Sequence, residues 1–190
     1  MEIRCSGSRD ADDERNKNSA EQRIEADEVD LVIYTDGSAE EGWSNGGAAF
    51  VARKKVGDGW RTIESQRMPA GTICSSFQAE MRAIQSALQW LYQERRHWTK
   101  VKIVTDSQSS LKALQHRTID SKCELRSAVE EWLVKLADPE QKIIIDWVPS
   151  HCGIEGNEMA DKEAAKAAKM EQSRAKCSFA VVKKRLNRIE

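Results

Sequence analysis

Three runs with the period of a β-strand follow one another between Val29 and Met68, and directly afterwards the apolar period lengthens to that of a helix. No other feature restricts the fold of this chain as much. "VDLVIYTD" (29–36) is rich in Val and Ile, and "GGAAFVARK" (46–54) carries small residues suited to tight packing. "GWRTIESQRM" (59–68) alternates as a half-exposed strand does, and "KKVGDG" supplies a hairpin turn centred on Asp58-Gly59. In "SSFQAEMRAIQSALQWLYQERR" (75–96), Phe77, Met81, Ile84, Leu88 and Leu91 recur every three or four residues. That spacing predicts a long amphipathic helix capped by Ser75 or Ser76. Strands at 100–106 and 142–150 then alternate with helices at 107–115, 122–137 and 157–172, the last one Ala-rich and capped by Asn157.

This order predicts an α/β fold with a five-stranded mixed sheet flanked by helices. The first three strands form an antiparallel meander. The long helix crosses over, and the fourth strand pairs parallel to the first on its free side, giving the order 3-2-1-4-5.

Composition sets the limits around this domain. Residues 1–28 carry nine acidic and five basic side chains with no apolar period, and are expected to form a disordered polar arm. The ordered domain is expected at 29–172 and a basic segment at 173–190. Residues 162–190 hold nine basic against three acidic side chains, a balance that suits a nucleic-acid partner or a solvated helix face. No run approaches the ~18 apolar residues of a membrane span. The five cysteines are scattered without a C-x-x-C pair, and adjacent His151-Cys152 does not make a zinc site. With no secretory signal visible, reduced thiols and a cytoplasmic or nuclear, non-secreted location are expected.

Two of the strands end in an aspartate. Taken alone, "TDGS" after the first is an ordinary turn. With strands 1 and 4 parallel neighbours, however, Asp36 and Asp106 leave the sheet side by side, where the chain runs off in opposite directions. Two adjacent carboxylates repel, and a divalent cation removes that cost. Glu80, beside Met81 on the packed side of the long helix, is expected to point at the same place, and Asp161 follows early in the last helix. Four oxygen donors without a thiol or imidazole cluster suit Mg²⁺ or Mn²⁺.

The residues "TDGS", "QAE", "TDS" and "WVPSHCGIEGNEMADKEA", in this order and spacing, resemble the type-1 ribonuclease H family from about Leu31 to Ala168. The last motif is the most specific, and its wording is most similar to the ribonuclease H domains of non-LTR retrotransposons. The resemblance implies a ribonuclease H-like fold and cleavage of the RNA strand of RNA–DNA hybrids. It also implies two Mg²⁺ ions, with Mn²⁺ able to substitute, held by Asp36, Glu80, Asp106 and Asp161, and products with 5′-phosphate and 3′-hydroxyl ends. His151 matches the family's mobile-loop histidine, expected to shuttle protons and assist product departure. Gly37, Ser38, Ser76, Gln78 and Asn157 are the expected contacts to the hybrid's minor groove, although caps and turns explain the same residues equally well.

The chain departs from many bacterial members in lacking a long basic insertion, since only "HRTIDS" joins the middle helices, and in opening the long helix with "CSSFQAE". Grip on the hybrid is therefore expected from the basic C-terminal segment or from a covalently attached reverse transcriptase, with a monomeric domain that binds weakly and salt-dependently by itself. Two other readings are a catalytically idle hybrid-binding or assembly module of a retroelement polyprotein, and a nuclease or transposase of the same fold acting on duplex DNA. Of the six tryptophans, Trp90, Trp132 and Trp147 are expected in the core, whereas Trp43 and Trp60 lie near the first loops.

Overall fold

The computed structural model describes residues 1–5, 12–94, 98–115 and 124–172; the "HRTIDS" connection and the basic segment at 173–190 lie outside the described residues. The expected meander is formed by β2 (Leu31–Glu40), β3 (Ser44–Val56) and β4 (Gly59–Ile73), after a short β1 (Glu2–Arg4) and α1 (Asp13–Ala26). Then follow α2 (Ser76–Gln93), β5 (Lys100–Thr105), α3 (Gln108–Gln115), α4 (Glu124–Lys135), β6 (Lys142–Trp147) and α5 (Glu155–Ala168).

The sheet has six strands in the order β1-β6-β5-β2-β3-β4. The expected order 3-2-1-4-5 is therefore present as β4-β3-β2-β5-β6, with β5 parallel to both β2 and β6. The sixth strand is β1, which pairs parallel to β6 from Glu2 opposite Ile144 to Arg4 opposite Asp146. The β3–β4 turn falls on Gly57-Asp58, one residue before the expected Asp58-Gly59.

Strand alternation sends side chains to two cores. On one face Leu31, Ile33, Phe50, Ile103 and Ile145 pack under α2, α3 and α4, with Met81, Ile84 and Leu88 of α2 fully buried. Trp90 and Trp147 are buried in this core and Trp132 is packed partly against it. On the other face Val32, Tyr34, Val51 and Val104 pack beneath α5 and α1. Trp60 sits at the edge, its indole N–H donating to Glu25 at 3.1 Å with the Lys55 ammonium over the ring.

Of the disordered arm expected at 1–28, the described residues 1–5 and 12–28 are corrected by β1 and α1, and residues 6–11 lie outside the described residues. Asp12 caps α1 by accepting from the backbone N–H groups of Glu14 and Arg15, and Asp13 and Glu14 complement the positive end of the helix dipole. Ala20 and Ile24 are buried on its inner side. Charge completes the docking. Lys102 of β5 is fully buried, and its ammonium meets Asp27, Asp146 at 3.3 Å and the Arg23 carbonyl at 3.0 Å. Arg4 grips both oxygens of Asp27 at 3.0 and 2.8 Å. A buried ammonium needs such partners, and two of the groups that meet it come from the N-terminal segment.

Candidate active site

The sheet opens between β2 and β5. Their parallel pairing ends with Thr35 opposite Thr105, whereas β2 runs on to Glu40 paired only with β3. Asp36 is thus the first β2 residue past the split, within the strand rather than at its end as the sequence suggested. Asp106 is the first residue beyond β5. The Trp147 indole N–H donates to the Asp106 carbonyl at 3.0 Å, and the Val148 amide donates to Thr105. These bonds fix the backbone that carries the second carboxylate.

Glu80 reaches the split from α2 because Gly37 lets the helix come close. A Cβ at Gly37 would lie 2.1 Å from the Glu80 backbone nitrogen and 2.4 Å from the Ala79 carbonyl carbon. Neither atom can give way without moving the helix. Gly37→Ala is therefore expected to cost about 1–3 kcal/mol, as overpacking does, and to shift Glu80 away from Asp36. Thermal unfolding of the variant checks the first effect, and loss of divalent-ion affinity checks the second.

Asp36, Glu80 and Asp106 each offer an oxygen within 4.8 Å of the others. Asp161, His151 and Glu158 form a second such group, and its Asp161 and His151 line one open cleft of about 280 Å³ together with the first group. The cleft is lined by the four predicted acids together with Gly37, Ser38, Ser107, Ser150 and His151. His151 is exposed at its mouth, in a turn where its backbone adopts φ of 52°.

The electrostatics follow from this crowding. Burial, then the charges of Asp106 and Asp161, push the Asp36 carboxyl up to about 7, against an opposing hydrogen bond from the Gly37 amide. Glu80 is raised well above its ordinary range by burial and by Asp36 and Asp106, even though the Thr105 hydroxyl donates to it at 3.4 Å. Asp106 is also raised, by burial first, while Asn157 and the charge of His151 oppose the rise. A buried carboxylate set whose affinity for protons is raised for want of positive charge fits a hard divalent cation.

A stability prediction follows, with its sign. Between the ordinary value of 3.8 and about 7, the folded metal-free protein binds more protons at Asp36 than the unfolded chain does. This contribution to stability is full at low pH and is lost as pH rises through that window. Calorimetric scans of metal-free protein are expected to show Mg²⁺ raising the melting temperature more at pH 7 than at pH 5. Equal shifts at the two pH values would contradict this.

The five expected groove contacts separate. Gly37 and Ser38 line the cleft, and Ser76 is exposed at the first turn of α2. Ser75 is the cap, and Gln78 completes its capping box by accepting from the Ser75 backbone N–H at 3.0 Å. Asn157 is not at the rim where it was expected: it is 2% exposed and its amide donates to Asp106. It is not the cap of α5 either, since that helix begins two residues earlier. Ile154 stands at its N-cap position without a side-chain cap bond, and Gly156 in the first turn leaves room for the Tyr34 ring. Three residues at the site were not anticipated from the sequence. Ser107 and Ser150, which line the cleft, directly follow or precede residues already singled out. Glu158, grouped with His151 and Asp161, stands one helical turn before Asp161, a spacing that shares a face.

A mixed α/β sheet whose split rim gathers acids from two strands and two helices defines a hydrolase scaffold of the nuclease kind. The family model for RNase H matches residues 28–169, and the chain belongs to that family. Its substrate class is accordingly the RNA–DNA hybrid, and its reaction hydrolysis of the RNA strand. Among the described residues no helix is long and apolar enough to cross a membrane.

Proposed function

We propose that this protein is an endoribonuclease that cuts the RNA strand of RNA–DNA hybrids with two bound Mg²⁺ ions, leaving 5′-phosphate and 3′-hydroxyl ends, and that it serves a retroelement. The observation that carries the reading is the convergence of Asp36, Glu80 and Asp106 within 4.8 Å at the β2–β5 split, beside Asp161. Asp36, Glu80, Asp106 and Asp161 would hold the ions. When bound, divalent ions neutralise charge on the scissile phosphate and supply an acidified water at neutral pH.

The side chains set up the rest. Glu80 is fixed by Thr105 and the Gly37 amide, and Asp106 by Asn157, so the donor set is oriented before substrate arrives. His151, exposed at the mouth, takes and returns protons at its imidazole nitrogens and eases product departure. Gly37 and Ser38 offer small polar groups to the hybrid's minor groove without reading sequence. Tight grip comes from the basic C-terminal segment or from an attached reverse transcriptase.

Incubating end-labelled hybrid with the protein in Mg²⁺, Mn²⁺ or EDTA, beside RNA–RNA and DNA–DNA duplexes, tests the reading. Cleavage confined to the hybrid's RNA strand and stopped by EDTA is expected. Hybrid bound but never cut would assign an idle module, and cut DNA duplex would assign a different nuclease.

A further inference from the structure

The RNase H match begins at residue 28, yet the segment before it carries β1 and α1, and α1 shares a buried cluster with the loop that presents His151 and bonds to its root. We infer that α1 braces this loop, and that Ala20, Arg23, Ile24 and Lys17 are positioning residues for His151. The inference rests on the proposed role of that histidine.

The loop from Val148 to Ile154 has little regular structure of its own. His151 holds a left-handed backbone conformation, φ of 52°, which is unfavourable for a residue with a side chain. Gly153 follows at φ of 81°. Such a conformation persists only where the surroundings hold it. Between the two, Cys152 is 6% exposed, and Ile154 beyond them is 2% exposed. Both belong to one buried cluster with Val148 and with Ala20 and Ile24 of α1. His151 therefore projects to solvent on a loop whose inward side chains belong to the same core as α1.

A hydrogen bond marks the root of the brace, and close approach marks its tip. At the root, Arg23 Nη2 donates to the Trp147 carbonyl at 3.1 Å, and the Trp147 indole in turn holds the Asp106 carbonyl. At the tip, the Lys17 stem passes 3.8 Å from where a Cβ on Gly153 would stand. Two further bonds close the loop from within. Cys152 Sγ donates to the Pro149 carbonyl at 3.3 Å, and the Gly153 amide donates to Glu158 at 3.3 Å. Helix α1 also has an anchor outside the loop, through Asp27, Arg4 and buried Lys102.

The test uses the full chain. Ala20→Gln enlarges the side chain between α1 and the cluster, and Arg23→Ala removes the tie to Trp147 without enlarging anything. Amide hydrogen exchange of residues 150–154 is expected to quicken about tenfold in both variants, while amides in the centre of β2 and β5 keep their protection. In hybrid cleavage, each variant is expected to lower kcat several-fold in the wild-type background. In a His151→Ala background the same change should leave kcat within about twofold, because contacts acting through one residue are not additive. Unchanged exchange in both variants, an equal rise across the whole sheet, or kcat losses of the same size with and without His151 would overturn the inference. If the wild-type protein cuts no hybrid, the proposed function fails, while the exchange measurement still decides whether α1 holds the loop.

Discussion

Asp106→Asn is expected to abolish hybrid cleavage in Mg²⁺ while the protein stays folded and still binds hybrid. The loss should exceed the roughly 10–100-fold that removal of an outer-shell partner costs, because Asp106 is one of the three acids that meet at the split. Its backbone is held by Trp147 and its carboxyl by Asn157, so the shorter-range structure has no reason to collapse. Its replacement also removes a charge that pushes Asp36 and Glu80 up. The metal-free variant is thus expected to melt no lower than wild type. A cleavage gel and a melting curve on the same sample check both statements, and retained cleavage would remove Asp106 from the donor set.

The second large effect concerns stability. Asp27→Ala is expected to destabilise the fold by about 3 kcal/mol, the lower end of the roughly 3–5 kcal/mol cost of breaking a buried ion pair. The lower end applies because Asp146 still faces Lys102. For a domain of this size the melting temperature should fall by about 6–12 °C. The pH dependence has the opposite sign to that of the acid cluster. Burial alone would raise the Asp27 carboxyl, but hydrogen bonds from Lys102 and Arg4 outweigh it and hold the pKa below the ordinary 3.8. Its contribution is therefore full above that value and is lost as pH falls through the lowered one. Wild type and variant should converge in stability toward strongly acid pH. A variant as stable as wild type at pH 7 would show that the N-terminal segment is not fastened through this charge.

Strands β2 to β6 and helices α2 to α5 were legible because their apolar residues keep a strict period over many positions. The rules for chain connections then settled which strands adjoin, and with that the meeting of Asp36 and Asp106. Helix α1 escaped notice for a physical reason. Its inner face offers only Ala20 and Ile24 beside polar Asn16, and much of its attachment is charge bonding to Lys102 and Asp146, which sequence periodicity does not register. The signals it does carry are Asp12 ahead of two acids and Arg23 in the last turn. Strand β1 is three residues long and has no period to read. The place of Asn157 is not legible in the sequence, because a capping residue type in a plausible position looks the same whether it caps or turns inward. Helix α5 begins at Glu155, after Ile154, which offers no capping side chain to mark the start.

The central claim is that acids from four separate elements bind divalent cations as one centre. Counting free Mn²⁺ by electron paramagnetic resonance, with protein alone and with bound hybrid, measures this most directly when run on wild type and on Glu80→Gln. Wild type is expected to take up Mn²⁺ at pH 7 with release of protons, since the Asp36 carboxyl is pushed up to about 7 in the metal-free state and Glu80 is raised beside it, and Glu80→Gln to bind at least about tenfold more weakly. No uptake beyond that of hybrid alone, or the same uptake in both proteins, would contradict it.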